Sequence, residues 1–190
     1  MLDIMLLMKP ILYFLRSTEQ KIATDMLHYA ARLDDLDKAL DDFPELSIYD
    51  KLYGLNHKDL GVYALHENEI AGAAWIRLLK ESDAPNAYVD EATPVLTVGV
   101  KPKFRGQGIG TEMLEQLLQE AGALYEQISV SVVQNSPAIN LYERFGFVRL
   151  EGSEKQSLVD GSAVVTMTKK LLKQEVKRPT DGYNASYWMD

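Results

Sequence analysis

The chain has 190 residues, of which 46% are hydrophobic and 25% are charged, and it contains no cysteine. This length and composition predict one folded domain and exclude a disordered or collagen-like chain, while the lack of cysteine excludes disulfides and thiolate metal sites. The formal net charge is −8, which argues against a nucleic-acid binder because phosphate contacts need clustered cations.

The first apolar stretch, residues 1–15, does not resemble an export signal or a membrane span. It is interrupted by Asp3, Lys9 and Pro10, and it has neither a basic start nor a small-residue cleavage site. We therefore expect a cytoplasmic protein that has no membrane partner. The three histidines lack the close spacing of paired metal ligands, so no metal site is predicted.

The first half of the chain predicts a strand, a helical region and a hairpin. Residues 11–15 are an apolar run, and Ser17 and Gln20 have capping-box spacing ahead of apolar residues at helical intervals. Those intervals continue to Phe43 through an acid-rich segment, which fits one bent helix or two helices equally well. Residues 62–65 and 70–79 then predict two antiparallel strands joined by a polar four-residue turn.

The second half alternates strands and helices. After an irregular stretch over residues 80–93, a buried strand is predicted at residues 95–100, followed by closely spaced glycines and an amphipathic helix that ends near Gly122. A strand at residues 128–133 precedes a helix that Ser136 can cap and Gly146 can end. The remaining predicted strands cover residues 147–150 and 163–168.

The order of strand, glycines and helix is typical of an anion-binding loop. Glycines let backbone N–H groups approach a ligand closely, and the helix N-terminus adds a favourable dipole. Gly106, Gly108 and Gly110 are followed by Thr111, so the dinucleotide fingerprint and the Walker pattern both fail. The loop alone therefore predicts an anion site without naming the anion.

Two motifs resemble those of a known family. Residues 98–111 resemble the acetyl-CoA signature of the GCN5-related N-acetyltransferases (GNAT), whose core is Arg/Gln-x-x-Gly-x-Gly/Ala and which here runs from Arg105 to Gly110. Residues 135–147 resemble the second signature of the family, Asn-x-x-Ala-x-x-x-Tyr-x-x-x-Gly-Phe, and include Asn135 and Tyr142. Both stand in the order that the family uses.

The resemblance implies an α/β (mixed α+β) domain with the acyl-CoA N-acyltransferase fold. Its mixed sheet has about seven strands, is flanked by helices, and is splayed between the fourth and fifth strands. Acetyl-CoA is implied as cosubstrate, with its pantetheine arm in the splay and its pyrophosphate on the amides of residues 105–110. A basic cluster of Lys101, Lys103 and Arg105 suits the phosphates. The implied cofactor-binding residues are Val98, Gly99, Val100, Arg105, Gly106, Gln107, Gly108, Ile109, Gly110, Thr111 and Asn135.

The implied chemistry is direct attack of a primary amine on the acetyl thioester. This reaction needs a neutral amine, a polarised carbonyl and a proton for the departing thiolate. Tyr142 matches the general acid of the family, and the Val100 amide is the candidate for polarising the carbonyl. The chain has Pro94 where many members have a glutamate, and it has Val130 where the branch that acetylates ribosomal-protein N-termini has one. Glu91 is then the nearest candidate base, with a chain of water molecules as the alternative.

The expected organisation is a GNAT domain over residues 8–172 and a tail over residues 173–190. The leading function is N-acetyl transfer to a small-molecule or peptide amine; the alternative is a non-catalytic acyl-CoA-binding module. A homodimer is a further possibility that the sequence leaves open. Six carboxylates between residues 34 and 45 form either a solvated face or a rim that attracts cationic amines, on the acceptor side opposite the basic loop.

Overall fold

The computed structural model describes residues 9–173 of the chain. Over these residues, strands and helices follow one another in the predicted order. The elements are β1 (Ile11–Phe14), α1 (Gln20–Ala30), α2 (Leu33–Leu36), β2 (Leu60–His66), β3 (Glu69–Arg77), β4 (Val95–Val100), α3 (Ile109–Ala121), β5 (Gln127–Val133), α4 (Ala138–Arg144), β6 (Val148–Arg149), β7 (Lys155–Gln156) and β8 (Ala163–Lys170).

These strands form one sheet with the order β1-β2-β3-β4-β5-β8-β6, and β7 pairs with β8. Among the described strands, only β4 and β5 are parallel neighbours, and they pair at just two positions, Val95 with Ser129 and Leu96 with Val130. Beyond these positions the two strands separate, while each stays paired on its other side, β4 with β3 and β5 with β8. The predicted mixed sheet with a splay between its fourth and fifth strands is confirmed.

Helices cover both faces of the sheet. On one face, α1 packs over β3 and β4 and buries Met26 and Leu27 against Trp75, whose side chain is fully buried. On the other face, α3 and α4 enclose a larger core that includes Met113 and Leu117. Each such buried apolar side chain contributes about 1.5–3 kcal/mol of transfer free energy. The sheet is therefore packed against a hydrophobic core on each face.

The segment after α1 forms less helix than either predicted alternative. α2 is a single turn between Arg32 and Asp37, whose φ angles of 60° and 52° are both left-handed. Residues 40–42 and 44–49 then form 3-10 turns. The Asp42 carboxylate accepts the Ala39 backbone N–H at 3.1 Å, which caps the start of the first 3-10 turn, since Asp side chains readily bond to nearby backbone donors.

Smaller differences concern turns and strand ends. The hairpin between β2 and β3 turns on two residues, Glu67 and Asn68, both with positive φ, as in a type I′ turn, rather than on four. The cap ahead of α1 is one residue earlier than predicted, because the Arg16 N–H donates to Glu19 Oε2 at 2.9 Å. The strand β7 was not predicted.

The predicted tail lies outside the described residues except for Lys173. Within residues 9–173, no helix has the length and apolar character needed to cross a membrane. The same residues contain no group of three or more His, Asp or Glu side chains placed to hold a metal ion.

Candidate functional site

The splay opens into a cleft of about 830 Å³. Its two long walls are β4 and β5, and α4 closes one side with Asn135 and Tyr142 among its lining residues. The end of α1 and two irregular segments, residues 45–49 and 83–86, also contribute lining residues, as do Arg105, Gly110, residues 157–159 and Val164. A site between separated strand ends, lined by apolar walls with a few polar groups, has the usual form of a small-molecule site.

The peptide groups of β4 point alternately to β3 and into the cleft. The Lys101 N–H donates to the Ala71 carbonyl at 2.9 Å, so Lys101 and Gly99 direct their backbone groups to β3, and Val98 and Val100 direct theirs into the splay. Val98 and Val100 therefore occupy the position expected of groups that pair with an extended ligand. Beyond Leu96 none of the described strands pairs with that edge of β4, and the Val100 carbonyl accepts a hydrogen bond from Arg105 Nε at 3.0 Å.

Gly99 is the one predicted cofactor residue of β4 that the structure does not bring to the cleft. A Cβ atom at Gly99 would lie 2.2 Å from the Met26 carbonyl oxygen. The glycine thus permits α1 to pack closely on the sheet. Its signal in the sequence is the same as that of a ligand-binding glycine, so only the packing of α1 distinguishes the two roles.

The glycine loop leads into the N-terminus of α3. Gly106 and Gly108 have φ angles of 75° and 84°, and a Cβ at either would meet no protein atom within 4 Å. The first backbone bond of the helix runs from the Glu112 N–H to the Gly108 carbonyl at 3.0 Å, which leaves the N–H groups of residues 109–111 without helical acceptors. These donors and the dipole of the 13-residue helix form a site suited to a phosphate.

Contacts within the protein hold the rest of the loop in place. The Gln107 side-chain amide donates to the Lys103 carbonyl at 2.8 Å. Ile109 is buried in the core beneath α3, and Thr111 is half-buried in the first helical turn. Gly110 lies in the first turn of α3, and a Cβ atom there would lie 3.5 Å from Leu141 Cδ2 of α4, an ordinary van der Waals distance. The loop is therefore anchored at Gln107 by a hydrogen bond and at Ile109 by burial.

Two of the three predicted basic side chains are paired with one acid, Glu69, the first residue of β3. Lys103 forms an ion pair with Glu69, and Lys101 lies 3.9 Å from the same carboxylate. The hydrogen bond from Lys103, followed by the charges of both lysines, lowers the pKa of the Glu69 carboxyl. The expectation that these lysines stand ready for phosphates is thus not met in this conformation.

The third basic residue joins the loop to the acid-rich segment. Arg105 Nη2 lies 2.8 Å from Asp34 Oδ2, and Nη1 lies 3.4 Å from Asp35 Oδ1. The expectation that residues 34–45 lie opposite the basic loop is therefore wrong for its first two acids. The αL residue Arg32 turns the chain back after α1, and this turn carries α2 to the loop.

Tyr142 and Asn135 lie on the α4 side of the cleft. The Tyr142 side chain is 6% exposed and its ring packs against Phe147, with 5.4 Å between centroids. Burial raises the pKa of the Tyr142 phenol, so the group keeps its proton and can serve as a donor. Asn135 is exposed at the mouth, where β5 turns into α4.

The other end of the cleft is built by long-range side-chain contacts. The Trp75 indole N–H donates to the Tyr49 carbonyl at 2.7 Å. The Ser129 hydroxyl donates to the Ala87 carbonyl at 2.6 Å, and the Thr166 hydroxyl donates to the Asn86 carbonyl at 3.0 Å. These bonds fix the two irregular segments against the sheet.

Glu45 and Asp83 are the lining carboxylates of those segments, and both are exposed. Sequence reasoning placed Glu45 in the acid-rich stretch but did not single out Asp83. In the sequence, Asp83 stands out only as one charge in a polar stretch. In the structure it precedes a turn at Ala84, which has a φ of 48°. Asp35 also lines the cleft, but Arg105 and Arg32 already pair with it.

Glu91, the predicted base, is not brought to the cleft. It is exposed and lines a separate depression with Lys58, Tyr125 and Lys170, at the opposite end of β4 from the glycine loop. Among the described residues, the carboxylates that line the cleft are Asp35, Glu45 and Asp83.

Comparisons with known proteins agree with this geometry. Residues 24–147 match the acetyltransferase (GNAT) family. The chain is 31% identical over 103 residues to the spermine/spermidine N(1)-acetyltransferase of Bacillus subtilis, and this match covers 48% of this chain and 59% of that protein. It is 35% identical over 75 residues to the N-alpha-acetyltransferase RimI of Mycobacterium tuberculosis, and this match covers 38% of this chain and 46% of that protein. The matched region thus spans less than two thirds of these curated relatives.

Solved structures show the same fold at low sequence identity. An acetyltransferase from Streptococcus pneumoniae superimposes with a TM-score of 0.64 at 17% identity, over 86% of this chain and 99% of that one. A phosphinothricin acetyltransferase from Sinorhizobium meliloti, solved in complex with AcCoA, superimposes with a TM-score of 0.62 at 18% identity, over 92% of this chain and 95% of that one.

Proposed function

The chain belongs to the GNAT family of acetyltransferases, and from that membership we propose that it transfers an acetyl group from acetyl-CoA to an amine. The observation that carries the proposal is the splay, where the unpaired edge of β4, the two ends of the glycine loop at Arg105 and Gly110, and the buried Tyr142 line one cleft. The names of the relatives, which are N-acetyltransferases, support the same reaction class.

The residues present fit acetyl-CoA in three places. The N–H groups at the start of α3 can hold the pyrophosphate, and the open space beside Gly106 and Gly108 leaves room for it. The inward peptide groups of Val98 can pair with the amides of the pantetheine arm. The Val100 carbonyl accepts the Arg105 Nε, so on the same edge Val100 offers its N–H. Asn135 can contact that arm from the β5 side, and the Thr111 hydroxyl can add a phosphate contact.

The reaction is a direct transfer. The chain has no cysteine, so no thiol can carry an acyl intermediate. The amine nitrogen forms a bond to the thioester carbon, the C–S bond breaks, and the thiolate takes the proton of the Tyr142 hydroxyl. The Tyr142 phenolate then regains a proton from the water that has accepted the amine proton. The Val100 N–H stabilises the developing charge on the carbonyl oxygen. The amine loses its proton to water in the open cleft, since Glu91 lies outside it.

The acceptor that suits the site is an amine with a second positive charge. Glu45 and Asp83 line the end of the cleft away from the glycine loop, and the whole chain carries a net charge of −8. Such a field raises the association rate of cations. The similarity to a protein named as a spermine/spermidine acetyltransferase points the same way.

The decisive test follows thiol release from acetyl-CoA with a panel of amines that includes spermidine, lysine-containing peptides and neutral amines. We expect turnover with at least one cationic amine, and its loss in Tyr142→Phe. Tight binding of acetyl-CoA with no turnover across the panel would instead favour the non-catalytic acyl-CoA-binding module, an alternative that the distant position of Glu91 keeps open.

A further inference from the structure

Arg105 connects three parts of the molecule. Its Nε donates to the Val100 carbonyl at 3.0 Å, at the end of β4. Its Nη2 donates to Asp34 Oδ2 at 2.8 Å, and its Nη1 reaches Asp35 Oδ1 at 3.4 Å, both in α2. One guanidinium group thus bridges the cofactor edge of β4, the start of the glycine loop and the segment that leads to the acceptor end.

Asp34 is held in an arrangement that stability alone does not explain. Its side chain is 14% exposed, and its Oδ1 atom is buried without a hydrogen-bond partner among residues 9–173. Leaving a buried carboxylate oxygen unpaired is costly. The turn that carries it is enclosed by two left-handed residues, Arg32 and Asp37, a further cost for residues other than glycine. Such costs are typical of positions where geometry serves a function.

We propose that Asp34 is a positioning residue for the acetyl-CoA site and that it acts through Arg105. By holding the guanidinium, Asp34 keeps Nε on the Val100 carbonyl, and this contact sets the end of β4 and the start of the glycine loop in the conformation that receives the ligand. This inference rests on the proposed function, because it assumes that acetyl-CoA binds at the loop.

The bridge depends on the shape of the arginine side chain as well as on its charge. Arginine presents N–H groups in a rigid fork that can meet a carbonyl and two carboxylates together, whereas lysine is a single point charge on a flexible stem. A lysine at position 105 therefore keeps the attraction for phosphate but loses the bridge.

A purely electrostatic effect and a positioning role predict opposite changes in CoA affinity when Asp34 is replaced. Replacing an aspartate beside an anion site removes a repulsive charge, which by itself strengthens the binding of CoA. A positioning role predicts weaker binding, so the sign of the change separates the two explanations. Asp41 provides the matched control, since it is an exposed acid of the same segment.

The experiment measures the affinity of the full chain for CoA by calorimetry. We expect Asp34→Asn and Arg105→Lys each to weaken binding about tenfold, as for loss of a charge-assisted hydrogen bond. We expect the double variant to be no weaker than Arg105→Lys alone, and Asp41→Asn to stay within about twofold of the parent, as is usual at a surface.

Three results would overturn the inference: Asp34→Asn binding as tightly as Asp41→Asn or more tightly, additive losses in the double variant, or parental affinity in Arg105→Lys. Thermal unfolding reports whether each variant is folded. If Asp34→Asn fails to fold, Arg105→Lys tests the same bridge from its other side. Failure of the proposed function is distinguishable, because the parent chain would then not bind CoA at all.

Discussion

The two ends of the cleft are built in different ways. The cofactor end uses backbone groups on regular elements: the inward peptides of β4 and the first turn of α3, with Gly108 at a φ of 84°. The acceptor end uses irregular segments, which side chains distant in the sequence hold in place; Ser129 and Ala87, for example, are 42 residues apart. A backbone-built site is encoded locally, whereas a side-chain-built site depends on the whole fold.

The largest effect on catalysis is expected from Tyr142, which belongs to the second sequence motif. Tyr142→Phe is expected to lower kcat about 100-fold, the usual scale for loss of a general acid, with little change in the affinity for acetyl-CoA. Because burial raises the pKa of this phenol above its usual 10.0, the acid form persists past that pH. The kcat profile of the parent should therefore show no fall that begins below pH 10.

The control for this change is Tyr125→Phe, which removes another buried phenol, one that donates to the Lys58 carbonyl outside the cleft. It should leave kcat unchanged. Steady-state kinetics with saturating amine measures both variants, and equal losses of kcat in the two would assign the effect of Tyr142 to stability.

A backbone-built site should be broken by one backbone change. At Gly108, a valine must adopt a left-handed φ that costs an L-residue about 1–2 kcal/mol, and its side chain enters the open space beside the loop. We expect Gly108→Val to weaken CoA binding about 30-fold, as measured by calorimetry.

Gly152 offers a matched control, since it also has a positive φ, 73°, and a Cβ there would meet no protein atom within 4 Å, but it lies between β6 and β7 and not at the start of α3. Gly152→Val should cost similar stability and leave CoA binding intact. If both valines reduced the affinity equally, the cofactor end would not be a local backbone site.

The acceptor end should respond to a change far from it in the sequence. Ser129→Ala removes the donor to the Ala87 carbonyl, and a buried acceptor left unpaired costs about 1–3 kcal/mol. We expect KM for the amine to rise about fivefold because the segment at residues 83–86 becomes less well held. This rise corresponds to about 1 kcal/mol of binding free energy. The Kd for CoA should not change, and a parallel rise in it would show that the two ends are not built independently.

The smallest effects are expected from the exposed carboxylates. Glu45→Gln and Asp83→Asn should each lower kcat/KM about threefold for 1,4-diaminobutane at low salt, with a smaller effect for butylamine, because exposed charges contribute little and are screened. Glu91→Gln removes the same charge outside the cleft and serves as the control. Losses of the same size for both amines, or at high salt, would contradict electrostatic selection of the acceptor.

Much of the fold was predictable because its signals are local. Alternation and apolar runs predicted the long strands, and the strand–glycine–helix order predicted the phosphate-binding geometry, since φ preferences and helix ends depend on neighbouring residues. The region after α1 was less predictable. Its apolar spacing fitted a helix, but the left-handed residues Arg32 and Asp37 interrupt the helix on either side of a single turn, α2.

The sequence by itself determined the order of the elements, the glycine loop and the position of Tyr142 on a capped helix, all of which follow from residues within a few positions of one another. Only the tertiary structure decided that Gly99 serves the packing of α1, that Glu91 lies outside the cleft, and that Arg105 pairs with Asp34, 71 residues away. The physical reason is that backbone conformation is chosen locally, whereas the partner of a charged or polar side chain is chosen by whichever distant segment the folded core brings beside it.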